Sequence, residues 1–204
     1  SAVSGNYGEL DSFAATADAE GTTPWKNFKS GITTSFVEEG DTIGMVQSNA
    51  SYMNHFYNGC TKLETVDLTG FDTTNARGMR HMFYGCSSLR EVNLSKFDTT
   101  NVTDMRGMFH SCPSLKTVDI STFDVARVVT MNQMFTDDSS LETITLPPVF
   151  NSSNCEDLAG MFWNCTRLKA VDTSSFSTPN VKYMDRMFQN CESLIELDLS
   201  SFNT

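Results

Sequence analysis

The sequence contains no long apolar run and few positive charges. No stretch approaches the roughly 18 consecutive apolar residues that span a bilayer. Lysine and arginine number 14 against 25 aspartates and glutamates, which gives a net charge of −11, and the basic residues form no cluster. Such a chain is poorly suited to bind polyanions. We therefore predict no binding to nucleic acid and no direct insertion into a membrane.

The sequence also lacks the short motifs that carry enzymatic chemistry. It has no P-loop, no G-x-G-x-x-G, no H-E-x-x-H and no G-x-S-x-G. No two cysteines have the C-x-x-C spacing of zinc sites. His55 and His81 are one repeat apart, but a stacked pair of histidines is weak evidence for a metal. The sequence predicts no catalytic residue, no metal and no other cofactor, and we expect the protein not to be an enzyme.

The sequence does contain a repeat with a period of 26 residues, interrupted by one extra residue between Leu146 and Phe150. A fixed short period is typical of a solenoid, in which each coil contacts only its neighbours. Three apolar columns define the repeat: Cys60, Cys86, Cys112, Asp138, Cys165, Cys191; Leu63, Leu89, Leu115, Leu141, Leu168, Leu194; and Phe71, Phe97, Phe123, Phe150, Phe176, Phe202.

Each repeat shows two hydrophobic periodicities. Met105, Met108, Phe109 and Cys112 stand at i, i+3, i+4 and i+7, which predicts one stripe of a short helix. The run 118–120 alternates apolar, polar and apolar, which predicts a short strand. The residue before each cysteine position suits the left-handed backbone that ends a helix, since four of the six are Gly or Asn. These residues are Gly59, Gly85, Ser111, Asp137, Asn164 and Asn190.

We therefore predict an α/β repeat solenoid of the leucine-rich-repeat type. Its concave face would carry one parallel sheet of about six to seven short strands, with short helices on the opposite face. Residues 1–36 lack the pattern and are predicted to form an N-terminal cap that is partly irregular, with a strand from Ile32 to Val37. Residues 37–204 would form the solenoid, with a degenerate first coil over 37–51 and six clear repeats over 52–204, the last one truncated.

Five of the six cysteines occupy one repeat column, and the sixth, Cys155, takes the place of a valine found at Val102, Val128 and Val181. This pattern favours buried free thiols. Disulfides between adjacent coils stay open as an alternative, because stacked Cα atoms about 5 Å apart are within bonding range. Asp138 replaces cysteine in this column, and Pro147 and Pro148 follow its strand. Two interpretations stay open for that repeat: a drifted copy, whose Asp138 turns outward or accepts backbone N–H bonds, or a binding feature in mid-stack.

One polar column is predicted to face solvent from the strands and is our candidate binding surface. An acidic concave face suits a partner, although any solvated strand face needs polar residues, and a row of calcium ions is a third interpretation. The column consists of Asp67, Asn93, Asp119, Thr145, Asp172 and Asp198.

Two further polar columns are predicted to be structural. The residues that directly follow the phenylalanines should accept backbone N–H bonds and start turns; they are Asp72, Asp98, Asp124, Asn151, Ser177 and Asn203. The asparagines are expected to bond the backbone of a neighbouring coil, with Arg127 pointing outward where it interrupts them; this column is Asn75, Asn101, Arg127, Asn154 and Asn180.

The segments 82–89 (MFYGCSSL) and 94–102 (LSKFDTTNV) resemble the BspA-like leucine-rich repeats of bacterial surface proteins. They are most similar to the variant found in mycoplasma-type lipoproteins and in surface proteins of gut Firmicutes. The resemblance implies a right-handed solenoid displayed outside the cell, with a role in adhesion or in binding host or matrix molecules. We expect a protein or glycan partner and a monomer or weak self-association. The alternative is a passive stalk or spacer in a larger surface protein.

Overall fold

The computed structural model describes residues 34–36, 43–44, 53–68 and 71–202, with side chains described for 53–68 and 72–202. Most of the predicted cap (1–36) and of the predicted degenerate coil (37–51) lies outside these residues. Within the predicted strand Ile32–Val37, a strand is present over Thr34–Phe36. We number the coils 1 to 6 by the cysteine column, so that coil 1 contains Cys60 and coil 6 contains Cys191.

The secondary structure of the described residues consists of short strands that pair in parallel between coils. The strands are β1 (Thr34–Phe36), β2 (Ile43–Gly44), β3 (Thr65–Asp67), β4 (Phe71–Asp72), β5 (Glu91–Asn93), β6 (Thr117–Asp119) and β7 (Thr143–Thr145). β1 pairs with β3 and β3 with β5, β2 pairs with β4, and β6 pairs with β7. Equivalent residues of successive repeats face each other, as in Val66 with Val92 and Val118 with Ile144.

Among the described residues, the predicted single sheet is replaced by three short ones, and residues 146–202 contain no strand. The pairing ends at β7, directly before Pro147 and Pro148, neither of which has an N–H to donate. The break between β5 and β6 has no such explanation. Stacking continues through both places, because isolated parallel bridges join Gly78, Asp104, Thr130, Asp157 and Tyr183 in turn. The chain is therefore a repeat stack throughout the described coils.

The predicted short helices are wrong, because the described residues contain no helix. In the segment 105–111, alternate amides donate to the next coil: Met105 to the Thr130 carbonyl at 3.0 Å, and Gly107 to the Asn132 carbonyl at 2.9 Å. The amides between them close i→i−3 turns, as from Met108 to Met105 at 3.3 Å. A helix satisfies its amides internally, and a segment this short is marginal as a helix in any case. Pairing to the next coil therefore prevails.

The positive φ angles show how the turns replace the helix. The left-handed conformation predicted before each cysteine position is confirmed, although it lies within a series of turns and not at a helix end. A second left-handed column lies four residues earlier and was missed from the sequence: His55, His81, Gly107, Gln133, Gly160 and Arg186, with φ between 54° and 62°. Two left-handed residues in every repeat exclude a continuous α-helix.

The hydrophobic stripe that predicted a helix is nevertheless buried. Met105, Met108, Phe109 and Cys112 are all 0% exposed. The aromatic rings of successive coils stack with centroids 5.2–5.6 Å apart and planes within 12° of parallel, in a column of Tyr57, Phe83, Phe109, Phe135, Phe162 and Phe188. Phe97 and Phe123 stack in a second column at 6.4 Å. Like side chains from successive coils therefore form one continuous dry core.

The six cysteines are free, which confirms the prediction of thiols over disulfides. The Sγ atoms of Cys86, Cys112, Cys165 and Cys191 each donate to the carbonyl of the aromatic residue in the preceding coil, at 3.1 Å. Burial raises the pKa of Cys155 and Cys191 to about 11, so these thiols keep their protons at neutral pH.

No helix in the part of the chain that the structure describes is long and apolar enough to cross a membrane.

The stacked rings predict the cost of removing one of them. Phe109→Ala removes a ring that lies between Phe83 and Phe135, and the rigid coils above and below restrict collapse into the cavity. We expect a loss of about 3–5 kcal/mol in the free energy of unfolding, measured by urea denaturation. Val129, which is 42% exposed, provides the control: Val129→Ala should change stability by no more than about 0.5 kcal/mol. Similar losses for the two variants would contradict a tightly packed stack.

The His81 ring predicts unequal effects at two glycines of the second left-handed column. A Cβ at Gly107 would collide with the His81 ring, 2.7 Å from Nε2, whereas a Cβ at Gly160 meets Gln133 Cγ at 3.4 Å. Gly160→Ala should cost about 1–2 kcal/mol from backbone strain alone. Gly107→Ala should cost about 2–4 kcal/mol, because the overlap adds to the strain.

A double-mutant cycle separates the two causes. Combining Gly107→Ala with His81→Ala should relieve the steric overlap but not the backbone strain. The double variant should therefore lose less stability than the summed losses of the two single variants. Simple additivity would show that His81 moves aside at no cost.

Candidate functional site

The polar column, formed by Asp67, Asn93, Asp119, Thr145, Asp172 and Asp198, lies along the strand face. Five of its side chains are exposed and Asp67 is half-buried. Asp67 is in register with Asn93, and Asp119 with Thr145, so the repeat brings neighbouring members together as predicted. Asp172 and Asp198 belong to coils that have no strand at this position. The column therefore extends beyond the regular sheet.

Four members of the polar column also form turns. The amides two residues ahead donate to Oδ1 of Asn93 at 3.2 Å, of Asp119 at 2.9 Å, of Asp172 at 3.0 Å and of Asp198 at 2.8 Å. This is the Asx turn, in which a short side chain takes the place of a backbone acceptor. The sequence indicated solvent exposure for these residues, and the turn is an additional structural role that it did not predict.

The turns also keep two members of the column ionised. Hydrogen bonds from the hydroxyl and then the amide of Ser174 hold the pKa of Asp172 below its usual value, and Ser200 does the same for the pKa of Asp198. Both groups stay ionised well into the acidic range. These two neighbours make the end of the column the place where negative charge is most concentrated.

Four members of the second acidic column form turns as predicted, and Asn203 lies outside the described residues. The amides of Thr74, Thr100 and Ala126 donate to the carboxylates of the residues two positions before them, at 3.0, 2.9 and 2.8 Å. The amide of Ser153 reaches Asn151 at 3.4 Å. Donation from the Thr100 hydroxyl, together with its amide, lowers the pKa of Asp98.

The asparagine column binds backbone across coils, as predicted. Asn101, Asn154 and Asn180 each donate from Nδ2 to a carbonyl of the preceding coil, at 2.9, 2.6 and 2.7 Å. Arg127 is exposed, and its guanidinium donates to Oδ1 of Asn101 at 3.1 Å. The column is therefore a structural contact between coils.

The histidines lie in a row of neighbouring aromatic rings on the turn segments. The sequence did not predict this row. The centroids of His55 and His81 are 5.0 Å apart, those of His81 and Tyr84 5.0 Å, and those of Tyr84 and His110 4.9 Å. Burial first, and then the charges of His55, Arg80 and His110, lower the pKa of His81 to about 4, so it is neutral at physiological pH. The 26-residue spacing between Tyr84 and His110 could have indicated that their rings lie side by side in successive coils.

Within the described ranges, no group of three or more His, Cys, Asp or Glu side chains is placed to hold a metal ion.

Asp138 lies inside the stack and is 0% exposed, so the prediction that it turns outward is wrong. Its predicted role as an acceptor is confirmed, because the Cys112 amide donates to Oδ1 at 2.7 Å. The residue that faces outward is Asp137, which contacts Nε2 of His110 at 3.5 Å and accepts from Asn164 at 2.6 Å. The side chain at 138 takes the direction of the cysteines that it replaces.

A family model described as "Mycoplasma protein of unknown function, DUF285" matches residues 51–147 and 115–204. The chain belongs to the DUF285 family. Together the two matches span residues 51–204, which contain all six clear repeats. The DUF285 assignment covers the stack and leaves residues 1–50 unmatched.

The DUF285 chain is also similar to a solved structure, the T. pallidum leucine-rich repeat protein (TpLRR). The two share 17% sequence identity over 71% of this chain and 81% of that one, with a TM-score of 0.30. The repeat stack described above rests on the pairing of its coils and not on this likeness. The comparison with curated proteins found no match.

The turn at Asp172 predicts a measurable titration. Ser174→Ala removes the hydroxyl donor, so the pKa of Asp172 should rise toward its usual value in NMR titrations of the carboxyl carbon. Because the folded pKa is depressed, the contribution of Asp172 to stability is present above the unfolded pKa of about 3.9 and is lost as pH falls through the folded pKa. Ser174→Ala should therefore weaken this acid dependence.

Ser95→Ala is the matched control, since the Ser95 hydroxyl bonds Asn93 at 2.9 Å in another coil. The pKa of Asp172 should be the same in this variant as in the unmodified protein. An unchanged pKa in Ser174→Ala would contradict the assigned cause.

Proposed function

We propose that this DUF285 protein is an extracellular binding or adhesion module, which recognises a host, matrix or cell-surface partner through the polar column. The observation that carries the proposal is an exposed, mostly acidic column along the strand face of a stack whose core columns are buried. Extended faces of this kind are the surfaces that solenoid proteins use for binding.

The distribution of charge supports a partner with positive or hydrogen-bond-donating groups. The carboxylates at Asp172 and Asp198 are held ionised, and the whole chain carries a net charge of −11. A charged column on a fixed spacing favours recognition of an extended partner with matching charges, and it speeds association more than it adds affinity. The partner class we propose is a protein or a glycan, not nucleic acid.

We also propose a specific repeat type and location for this protein. We assign the repeats to the BspA-like leucine-rich type on the residues of segments 82–89 and 94–102, displayed at the cell surface. Membership of a family described as a Mycoplasma protein agrees with that resemblance. We further propose that the protein is not an enzyme and is a monomer or self-associates weakly, with the strand face free for its partner.

A passive stalk is the second candidate, and the Asx turns favour it. Oδ1 of Asn93, Asp119, Asp172 and Asp198 already accepts a backbone amide, so the column has a structural use that requires no ligand. A regular stack of coils holds a neighbouring domain at a fixed distance. The two proposals differ in whether the exposed charges matter.

Charge variants at Asp119 and Asp172 distinguish the two functions. The unmodified fragment is first applied to a glycan array, a panel of matrix proteins and intact host cells, and the strongest binder becomes the probe. Asp119→Asn with Asp172→Asn keeps both turn acceptors, as Asn93 shows, and removes two charges. We expect at least a tenfold weaker affinity for the probe with little change in stability, and a larger loss for Asp119→Lys with Asp172→Lys.

The matched control makes the same change of charge elsewhere. Asp185 and Glu192 are exposed on turn segments and form no ion pair among the described residues. Asp185→Lys with Glu192→Lys should leave binding to the probe within about twofold. Binding that survives the strand-face variants but is lost in the control would overturn the assigned surface, and repeated absence of any binder would favour the stalk.

A further inference from the structure

Position 138 breaks a hydrogen-bond pattern that otherwise repeats from coil to coil. In the cysteine column, Sγ–H donates to the aromatic carbonyl of the preceding coil, as from Cys112 to Phe83 and from Cys165 to Phe135, both at 3.1 Å. The same carbonyl also accepts the amide three residues ahead of it, as Phe83 does from Cys86 at 3.1 Å. Each such carbonyl therefore has two donors.

The Phe109 carbonyl has lost both of them. By the repeat it lies where the side chain of residue 138 would donate, just as the carbonyl of Phe83 serves Cys112. The Cys112 amide, which would otherwise close the turn to Phe109, donates instead to Oδ1 of Asp138 at 2.7 Å. Among the described residues no backbone amide donates to the Phe109 carbonyl. Oδ2 of Asp138 is fully buried and also has no partner.

An ionised carboxylate cannot repair this arrangement. Ionised, Asp138 has only acceptor oxygens, so Oδ2 and the Phe109 carbonyl would both remain buried without a proton between them. A buried acceptor without a donor is costly, and a buried charge without a counterion is more so. A protonated carboxyl supplies the one missing donor while Oδ1 continues to accept from Cys112.

The charged and titratable groups around Asp138 favour the protonated form. Burial raises the pKa of Asp138 well above its usual value, the amide of Cys112 lowers it in part, and the charge of Asp137 raises it again. The thiols of Cys112 and Cys165 face it from the adjacent coils, and their own pKa values are raised by burial. His110 contacts Asp137. Among the described residues no Lys, Arg or His forms an ion pair with Asp138.

We propose that Asp138 is a neutral carboxylic acid whose hydroxyl donates to the Phe109 carbonyl, and that its ionisation loosens the stack between coils 3 and 4. The protonated side chain acts as the thiol does in the other coils. The packing between coils 3 and 4 is therefore most stable in acid and becomes less stable as pH rises.

The direction of the pH dependence follows from linkage. Because the folded state holds this proton more strongly than the unfolded state, the stability that Asp138 contributes is fully present below the unfolded pKa of about 3.9. As pH rises, the unfolding equilibrium constant should increase by up to about tenfold per pH unit until Asp138 ionises in the folded protein. The turn carboxylates Asp98, Asp172 and Asp198 have the opposite dependence.

Asp138→Asn isolates this contribution in the full chain. Asparagine keeps an acceptor for the Cys112 amide and a donor for the Phe109 carbonyl, and it does not titrate. Urea denaturation of both proteins from about pH 4 to about pH 8 should show nearly equal stability at the acid end. As pH rises, the unfolding constant of the variant should fall relative to that of the unmodified protein, by up to about tenfold per pH unit. A difference that does not change with pH would overturn the proposal.

Infrared spectroscopy tests the protonation state without relying on a variant that folds well. The unmodified protein at neutral pH should show the carbonyl stretch of a protonated carboxylic acid, shifted in D₂O and lost in Asp138→Asn or Asp138→Cys. Asp137→Asn, which changes the neighbouring half-exposed carboxylate, should keep the band. Absence of the band in the unmodified folded protein would show an ionised Asp138 and would end the proposal whatever the variants do.

Discussion

Hydrogen bonding between equivalent backbone groups of successive coils is the constraint on which the rest of this structure depends. Amides of one coil donate to carbonyls of the next about one repeat later, as from Phe83 to Met108 at 2.8 Å, and this fixes the register of every side chain. Once the register is fixed, identical positions meet: rings stack on rings, and thiols reach the same carbonyl in one coil after another. The period must be kept because a shift of one residue would move every column against its neighbour. The extra residue beside Pro147 and Pro148 is tolerated where the strands end, and the bridge from Thr130 to Asp157 shows that the turn segments regain the register after it.

The same constraint explains which sequence-based predictions succeeded. The repeat, the buried columns, the free thiols and the turn-forming aspartates follow from which residues recur at which spacing, and spacing alone determines what stacks on what. The helix prediction failed because the i, i+3, i+4, i+7 stripe of Met105, Met108, Phe109 and Cys112 specifies which side chains are buried and not where the amides bond. The deciding evidence was the second left-handed column, where Gly107 and Gly160 alternate with His81, Gln133 and Arg186. Those larger residues conceal from the sequence a conformation that glycine alone would have suggested.

The candidate site was predictable in position but not in detail. That Asp67, Asn93, Asp119, Thr145, Asp172 and Asp198 form one column follows from the period, and their exposure follows from alternation along a strand. Their use as turn acceptors depends on the serine or other residue two positions ahead and on the angle at which the chain leaves the strand, which no pattern specifies. Asp138 shows the opposite case. A charged residue type in an apolar column suggested an outward side chain, yet the coils on both sides fix its direction so firmly that the carboxyl is buried instead. Geometry imposed by neighbours prevails over the preference of a single residue.

The turns account for only part of the acidic charge in the polar column. An Asx turn needs one oxygen acceptor, and Asn93 supplies it with an amide as well as Asp119 does with a carboxylate. Thr145 occupies the same column, so the fold does not require a carboxylate at every coil. Asp172 and Asp198 nevertheless occupy this position in neighbouring coils, where two like charges repel each other. A fold that needed only turns would be more stable with asparagine at one of them. The negative charge at this end of the column therefore exceeds what the turns require, and a positively charged partner on the strand face is the use that we propose for it.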